Sequence, residues 1–300
     1  MWASPTFLSM TNPPPAVLTS RTILITGASS GIGQATAAAV AGLGARVILA
    51  VRNTDKGRRV AAELPGTPGL HTVRELDLAD LDSVRRFAAD TRGDVDVLVN
   101  NAGVSNATLL RTRDGFESQF GTNHLGHFLL TTLLLPQITS RVVAVSSQAE
   151  RMGRLELNDL NWRSRPYAAG RAYADSKLAN LLFTLQLDRR LRAAGSEVRA
   201  IAAHPGLVVT AIYDRPAGQK PGLWDRALPI FGQGPDQGAL PVLHAITGNL
   251  PGGTFTGPEH LFHMRGGAQV IKSSTAAKNP GLAADLWAAS QELTKVDAAR

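Results

Sequence analysis

The sequence contains no cysteine. That excludes disulfides, thiolate nucleophiles and cysteine-ligated metals. It also suits a reducing compartment, so a cytoplasmic location is the expectation. Aromatic residues are scarce, at 5%, too few for a base-stacking platform. Acidic residues are in deficit, 24 against 31 Lys and Arg. The basic excess is scattered, with pairs such as Arg58-Arg59, Arg85-Arg86 and Arg189-Arg190 in helical patterns, so no nucleic-acid partner is expected. The longest strongly apolar run, Phe128–Leu135, is far too short for a bilayer, and no integral membrane segment is expected. Residues 1–20 lack the basic start of a signal peptide and hold three consecutive prolines, Pro13–Pro15. They read as a flexible tail ahead of a single domain over residues 21–300.

What the sequence does contain is alternation. Short β-branched runs at Thr22–Thr26, Arg46–Ala50, Thr72–Leu76, Val95–Val99, Arg141–Val145 and Val198–Ala203 are mainly apolar and do not alternate with polar residues in a regular period of two. Between and after them lie helical stretches at Gly33–Leu43, Thr54–Leu64, Leu81–Asp90, Arg113–Leu135, Tyr167–Ala194 and residues 281–293. Strand and helix in alternation predict an α/β fold: one doubly wound Rossmann-type domain, its mainly parallel sheet flanked by helices on both faces. Ligands in such sheets bind beyond the carboxyl ends of the strands, so the residues that follow each strand are the candidates.

After the first strand comes Gly27-Ala28-Ser29-Ser30-Gly31-Ile32-Gly33. Gly27 permits the sharp exit, Gly31 a close backbone approach and Gly33 tight helix packing. The helix that follows offers unpaired N–H groups to a pyrophosphate. The spacing is G-x-x-x-G-x-G, which differs from the general dinucleotide fingerprint. After the second strand stands Arg52, with no carboxylate beside it. Its planar fork suits a 2′-phosphate, so NADP(H) is expected over NAD(H), with Lys56 assisting. Asp77-Leu78 ends the third strand; its carboxylate either contacts adenine or caps the next helix. Asn100-Asn101-Ala102-Gly103 ends the fourth; small residues there let a ribose lie against backbone, and the Asn side chains fix the bend.

The chain has three tyrosines, and only Tyr173 has a lysine four residues on, Lys177. On a helix the two share a face. A neighbouring ammonium favours phenolate and brings a phenol toward the range useful for general acid–base work. Val145-Ser146-Ser147 closes the fifth strand. Either serine could bind a substrate carbonyl oxygen or merely cap a helix, and Ser147 is favoured. No acid–histidine pair stands near to make a hydrolase nucleophile. After the sixth strand, His204-Pro205-Gly206 turns the chain at the ligand edge, and Thr210 could reach a nicotinamide amide. His204 reads as a packed histidine. The pairs His124/His127 and His260/His263 lack a third ligand, so no metal is expected. Residues 207–237 are rich in Gly and Pro yet hold Leu223, Trp224, Leu228 and Phe231. They read as a lid over an apolar pocket, with a satellite core beneath a long loop as the alternative.

Taken together, "TGASSGIG", "NNAG", "VSS", "YADSK" and "HPG", in this order after successive strands, resemble the short-chain dehydrogenase/reductase family. "FGTNHLGHFLLT" and "YADSKLANLLFTLQL" resemble more narrowly its retinol-dehydrogenase-like branch, which has a longer stretch between serine and tyrosine, here residues 148–172. The resemblance implies hydride transfer at a nicotinamide, with Ser147, Tyr173 and Lys177 as catalytic groups. It implies that Asn123 props open its helix and positions a water near Lys177. It carries over Asp77, Asn100, Ala102 and Thr210 as cofactor contacts. The apolar anchor of the membrane-bound retinol enzymes and the cysteine of protochlorophyllide reductases are missing from the sequence, so the branch does not name a substrate. The expected function is an NADP(H)-dependent oxidoreductase acting on a lipophilic carbonyl or alcohol. A lyase or epimerase using the same cofactor and a non-catalytic NADP-binding redox sensor are the alternatives. The last helix could pack on its own domain or against a partner subunit of a homo-oligomer.

Overall fold

The computed structural model describes residues 17–208 and 232–296. The tail through Ala16, Thr210 and residues 209–231 of the expected lid lie outside the described residues. The tail expected through Ser20 gives way earlier than that: Leu18 is already buried in the core.

Eight strands form one sheet in the order β3-β2-β1-β4-β5-β6-β7-β8. They are β1 (Thr22–Thr26), β2 (Arg46–Val51), β3 (Thr72–Glu75), β4 (Val95–Asn100), β5 (Ile138–Val145), β6 (Arg199–Ala203), β7 (Phe255–Gly257) and β8 (Gln269–Val270). Every neighbouring pair is parallel except β7 and β8. β1 and β4 are central. The chain leaves β1 toward β2 and leaves β4 toward β5, in opposite directions, which opens a crevice at their carboxyl ends.

The central strands are buried on both sides because helices cover both sides. On one face α1 (Gly31–Gly42), α2 (Thr54–Glu63) and α7 (Pro235–Thr247) bring Val40, Val60, Val242 and Ile246 against Ile23, Ile25, Val47 and Leu49. On the other, α3 (Leu81–Asp90), α5 (Gly126–Leu134), α6 (Ala169–Ala193) and α8 (Pro280–Thr294) bring Val84, Phe87, Phe128, Leu129, Phe183 and Trp287 against Leu24, Leu98 and Val142. Side-chain caps start three of these helices. Asn53 accepts from Lys56 N, Asp80 from Asp82 N and Ser83 N, and Asn279 from Leu282 N, each satisfying an otherwise unpaired donor. The last helix packs on its own domain: the Trp287 ring stacks on Phe183 at 5.8 Å and meets Phe128 edge-on at 5.0 Å.

The helix expected over Arg113–Leu135 begins only at Ser118. Gly115 adopts φ +83, and Glu117 caps the helix by accepting from Gln119 N and Phe120 N. The helix is then α4 (Ser118–Phe120), a π-turn at Gly121–Leu125, and α5. The π-turn carries Asn123. α7, β7 and β8 have no counterpart in the sequence-based reading.

Candidate active site

The crevice at the β1–β4 switch has a volume of about 490 Å³. The phosphate turn forms its floor. Gly27 and Gly31 adopt φ +68 and +55, where a side chain is strained. Packing restricts the glycines further: a Cβ on Gly27 would lie 2.9 Å from Ala102 Cα, and one on Gly33 2.4 Å from the Gly27 carbonyl oxygen. Ser30, the N-cap of α1, makes no side-chain capping bond, and the first turn of α1 has no acidic residue. Its N–H groups and partial positive charge therefore face the crevice without a side-chain acceptor from the cap.

The wall runs from Ser29, Ser30, Ile32 and Arg52 at one end, past Asp77 and Leu78, to Ala102 and Gly103. Arg52 and Lys56 are exposed at the rim. Asp77 does not cap α3, since Asp80 does. One of its carboxylate oxygens accepts from Ala79 N at 2.9 Å. The donor set fits a dinucleotide: a glycine cradle with free helix N–H groups for phosphates, cations at the rim, and small residues along a backbone wall.

The end of β4 departs from expectation. Asn100 lies off the crevice, buried, its amide donating to Thr131 Oγ1 at 2.8 Å. The next residue lines the crevice instead. Asn101 Nδ2 donates to the Thr26 carbonyl at 2.8 Å, while the N–H groups of Asn101 and Ala102 donate to the Thr26 hydroxyl at 2.9 and 3.0 Å. The Asn-Asn-Ala-Gly stretch is thus bent back onto the start of the phosphate turn. Sequence alternation held the signal, because successive strand residues face opposite sides. Val104, Ser105, Asn106 and Thr122 also line the crevice and had been missed.

A second cavity of about 60 Å³ adjoins the first, sharing Ile32, Asn101 and Gly103. Ser147, Tyr173, Lys177, Pro205 and Gly206 line it. Ser146 and Ser147 both line it, and they differ in their hydrogen bonds. Ser146 is buried and donates its hydroxyl to the Lys177 main-chain carbonyl at 2.8 Å. Ser147 faces the cavity and accepts from Ala149 N at 3.2 Å, so its own proton stays available. It caps a short helix and lines the site at once. Lys177 is only 3% exposed. Its Nζ donates to the Val145 carbonyl at 3.3 Å and lies 5.6 Å from the centre of the Tyr173 ring. Burial pushes its pKa down to about 8, because an apolar surrounding disfavours the charged form.

The other tyrosines differ. Tyr167 donates to Glu117 Oε1 at 2.9 Å and accepts from Gln119 Nε2 at 2.8 Å. Burial and the Glu117 charge push its phenol up, so it is a structural group. Tyr213 lies outside the described residues.

Asn123 lies behind the cavity, fully buried. Its Oδ1 accepts from Val104 N at 2.7 Å, and its Nδ2 donates to the Val104 carbonyl and Ser176 Oγ, both at 3.0 Å. The side chain staples the loop after β4 to α6. A Cβ on Gly103 would stand 3.4 Å from Asn123 Oδ1 and 3.5 Å from Lys177 Nζ, so the two side chains are close neighbours. His204 is buried too, and burial lowers its pKa to about 3.

Comparison with known proteins agrees with this geometry. A family model described as short chain dehydrogenase matches residues 21–219. Human retinol dehydrogenase 11 is 40% identical over 92% of this chain and 86% of its own length. Human retinol dehydrogenase 13 is 44% identical over 67% of this chain, and the match spans 62% of that relative. A crystal structure of an uncharacterised protein from Mycobacterium paratuberculosis shares 50% identity, covering 94% of this chain and 96% of that one with a TM-score of 0.81. A short chain dehydrogenase from Burkholderia cenocepacia, solved in complex with NADP, is 25% identical over 79% of this chain and 96% of that one, with a TM-score of 0.61. The chain belongs to the short-chain dehydrogenase family and is retinol-dehydrogenase-like.

Proposed function

We propose that the protein is an NADP(H)-dependent oxidoreductase acting on a lipophilic carbonyl or alcohol. The observation that carries the proposal is the buried Lys177 ammonium beside Tyr173, in a cavity continuous with a crevice shaped for a dinucleotide. When bound, the nicotinamide supplies or accepts a hydride at a carbon bearing oxygen. Gly27, Ser29, Ser30, Gly31, Ile32 and Gly33 would hold the pyrophosphate, Asp77 and Leu78 the adenine end, Ala102 and Gly103 the ribose, and Pro205 and Gly206 the nicotinamide end. Ser147 Oγ donates to the substrate oxygen and holds it near Tyr173. The Tyr173 hydroxyl gives that oxygen its proton in reduction, and the Tyr173 phenolate takes the proton in oxidation. Lys177, close by and cationic below its lowered pKa, favours the phenolate that each cycle produces. Asn123 keeps Lys177 placed through Val104 and Ser176.

Arg52 carries the preference for NADP(H), by the match of a guanidinium fork to a 2′-phosphate. The neighbour solved with NADP supports that choice. The relatives named retinol dehydrogenases support an apolar alcohol or aldehyde.

The test is Tyr173→Phe with NADPH and a panel of apolar carbonyls. Turnover should fall by about 10²–10⁴-fold, the usual weight of a general acid, while NADPH binding by fluorescence stays near wild type. Retained turnover removes Tyr173 from the reaction. In parallel, Arg52→Ala should weaken NADPH about tenfold or more and leave NADH unchanged; equal effects on both would end the NADP assignment.

A further inference from the structure

His127 has no role in the reaction proposed above, yet it sits where three segments of the site converge. It is buried at the start of α5. Its Nδ1 lies 3.0 Å from the Asn123 main-chain carbonyl, and its Nε2 lies 2.8 Å from the Thr26 hydroxyl. A carbonyl only accepts, so Nδ1 carries the proton. Burial keeps the ring neutral, its pKa down to about 4. Nε2 is therefore an acceptor, and the Thr26 hydroxyl donates to it. That hydroxyl has a second acceptor in reach, the Val99 carbonyl at 3.3 Å, but one proton serves the nearer partner better. The two lone pairs of Thr26 Oγ1 accept the Asn101 and Ala102 N–H groups at 2.9 and 3.0 Å. With the Thr26 proton on its nearer partner, the directions along this chain are fixed.

The two ends of the chain matter. At one end, Asn101 and Ala102 are backbone wall of the crevice. At the other, Asn123 stands beside Lys177. An imidazole offers a donor and an acceptor on opposite edges of one rigid ring; a side-chain amide carries both at one tip. A phenylalanine would fill the volume and join neither end. We infer that His127 is a positioning residue, holding the Asn101–Ala102 wall in fixed register with the Asn123–Lys177 end of the site; it rests on the dinucleotide reading above.

The experiment titrates full-length protein with NADPH by fluorescence and measures kcat for an apolar carbonyl, with thermal melting as the folding control. His127→Phe should raise the NADPH Kd about tenfold, or about 1.4 kcal/mol, the weight of one neutral hydrogen bond, and Thr26→Val, which also unpairs the Asn101 and Ala102 N–H groups, should raise it at least as much. The double variant should bind no worse than Thr26→Val alone, because both substitutions break the same Thr26–His127 bond. His127→Gln, whose amide reaches Thr26, should recover Kd but not kcat. His127→Asn, whose shorter amide reaches the Asn123 carbonyl, should recover kcat but not Kd. A purely structural histidine would lower the melting temperature without this split. Wild-type Kd in folded His127→Phe and Thr26→Val, or costs that multiply in the double variant, overturns the inference. If His127→Phe fails to fold, the two amide variants decide: the split supports the link, and identical behaviour in Kd and kcat refutes it. A wild-type protein with no NADPH affinity overturns the dinucleotide reading and the inference with it.

Discussion

Two glycines of α1 allow one substitution to be read with opposite signs. Gly33 and Gly42 share the helix, and alanine is favoured over glycine in a helix by up to about 1 kcal/mol, partly through the unfolded chain. A Cβ at Gly42 meets nothing within 4 Å, whereas a Cβ at Gly33 would stand 2.4 Å from the Gly27 carbonyl oxygen and 2.5 Å from Asn101 Nδ2. The first obstacle is backbone and cannot rotate away. The second can move only by giving up its 2.8 Å bond to the Thr26 carbonyl. Overpacking of this kind costs about 1–3 kcal/mol, and backbone obstacles put Gly33→Ala toward the upper part of that range. Because the helix contribution is common to both variants, their difference isolates the clash. Gly42→Ala should melt at or above wild type. Gly33→Ala should melt roughly 5 °C below Gly42→Ala, since 1 kcal/mol shifts a chain of this size by about 2–4 °C. Relief of the clash moves the phosphate turn by about an ångström, and the NADPH Kd should rise about tenfold or more. Thermal melts and NADPH titration of both variants measure the two effects. A Gly33→Ala protein that melts with Gly42→Ala and binds NADPH as wild type would refute the claim that close packing at Gly33 shapes the turn.

Lys177→Met keeps the length of the side chain and removes a buried ammonium. It should abolish carbonyl turnover while leaving stability at pH 7 unchanged or higher by about 1–3 kcal/mol; a marked loss in denaturant midpoint would contradict this. In the wild type the unfolded chain keeps the Lys177 proton to its ordinary value of 10.5, while the folded protein releases it at about 8. The unfolded state binds more protons in that window, so stability climbs with pH there, by up to about 1.4 kcal/mol per unit. Lys177→Met should lack that climb in denaturant melts at pH 8 to 10.5. His124 and His204 are held neutral by burial, each with a pKa lowered to about 3. Their contribution to stability is full above the ordinary histidine value of 6.5 and drains as pH falls toward 3; His124→Phe should flatten the midpoint-versus-pH curve by about 1.4 kcal/mol per unit below pH 6. Trp287→Ala, which empties the stack on Phe183 and the edge contact with Phe128, should cost about 3–5 kcal/mol; a change under 1 kcal/mol would mean that α8 is not docked there.

The central strands were legible because burial on both faces makes them mainly apolar, with buried polar residues such as Thr26 and Asn100 at their carboxyl ends. β1 and α3 fall at the predicted bounds, where an unbroken apolar run or a capping Asp80 marks the edge locally. β7 and β8, of three and two residues, are too short for any periodicity and exist only by pairing on an established sheet. α7 holds Gly238 and Pro241 inside the helix, both poor helix formers, and its burial against α1 overrides them. The opened helix at Asn123 was expected only from the family resemblance, and spacing alone carries no sign of the π-turn. Its register is set by bonds from Asn123 to Val104 and Ser176, the second from a helix far along the chain.

The same division runs through the site. Ser147, Tyr173 and Lys177 could be picked from position, since each follows the fifth strand and two share a helical face. Choosing Ser147 over Ser146 needed the structure only to show where each proton goes: Ser146 gives its own to the Lys177 carbonyl, and that bond helps fix the helix turn that carries the amine. Asn100 and Asn101 could not be told apart from composition, since either could fix the bend. Geometry assigns Asn100 to α5 and Asn101 to the crevice. The buried amine makes the physical reason general. A solvated lysine would hold its proton to its ordinary value, but water would screen its charge from the phenol. Burial costs stability and lowers Lys177 to about 8, which still leaves the amine cationic at neutral pH, the charge state that favours a neighbouring phenolate. That depression is created by packing from β5, α6 and the loop after β4 together, so it is a property of the fold that no motif of five residues encodes.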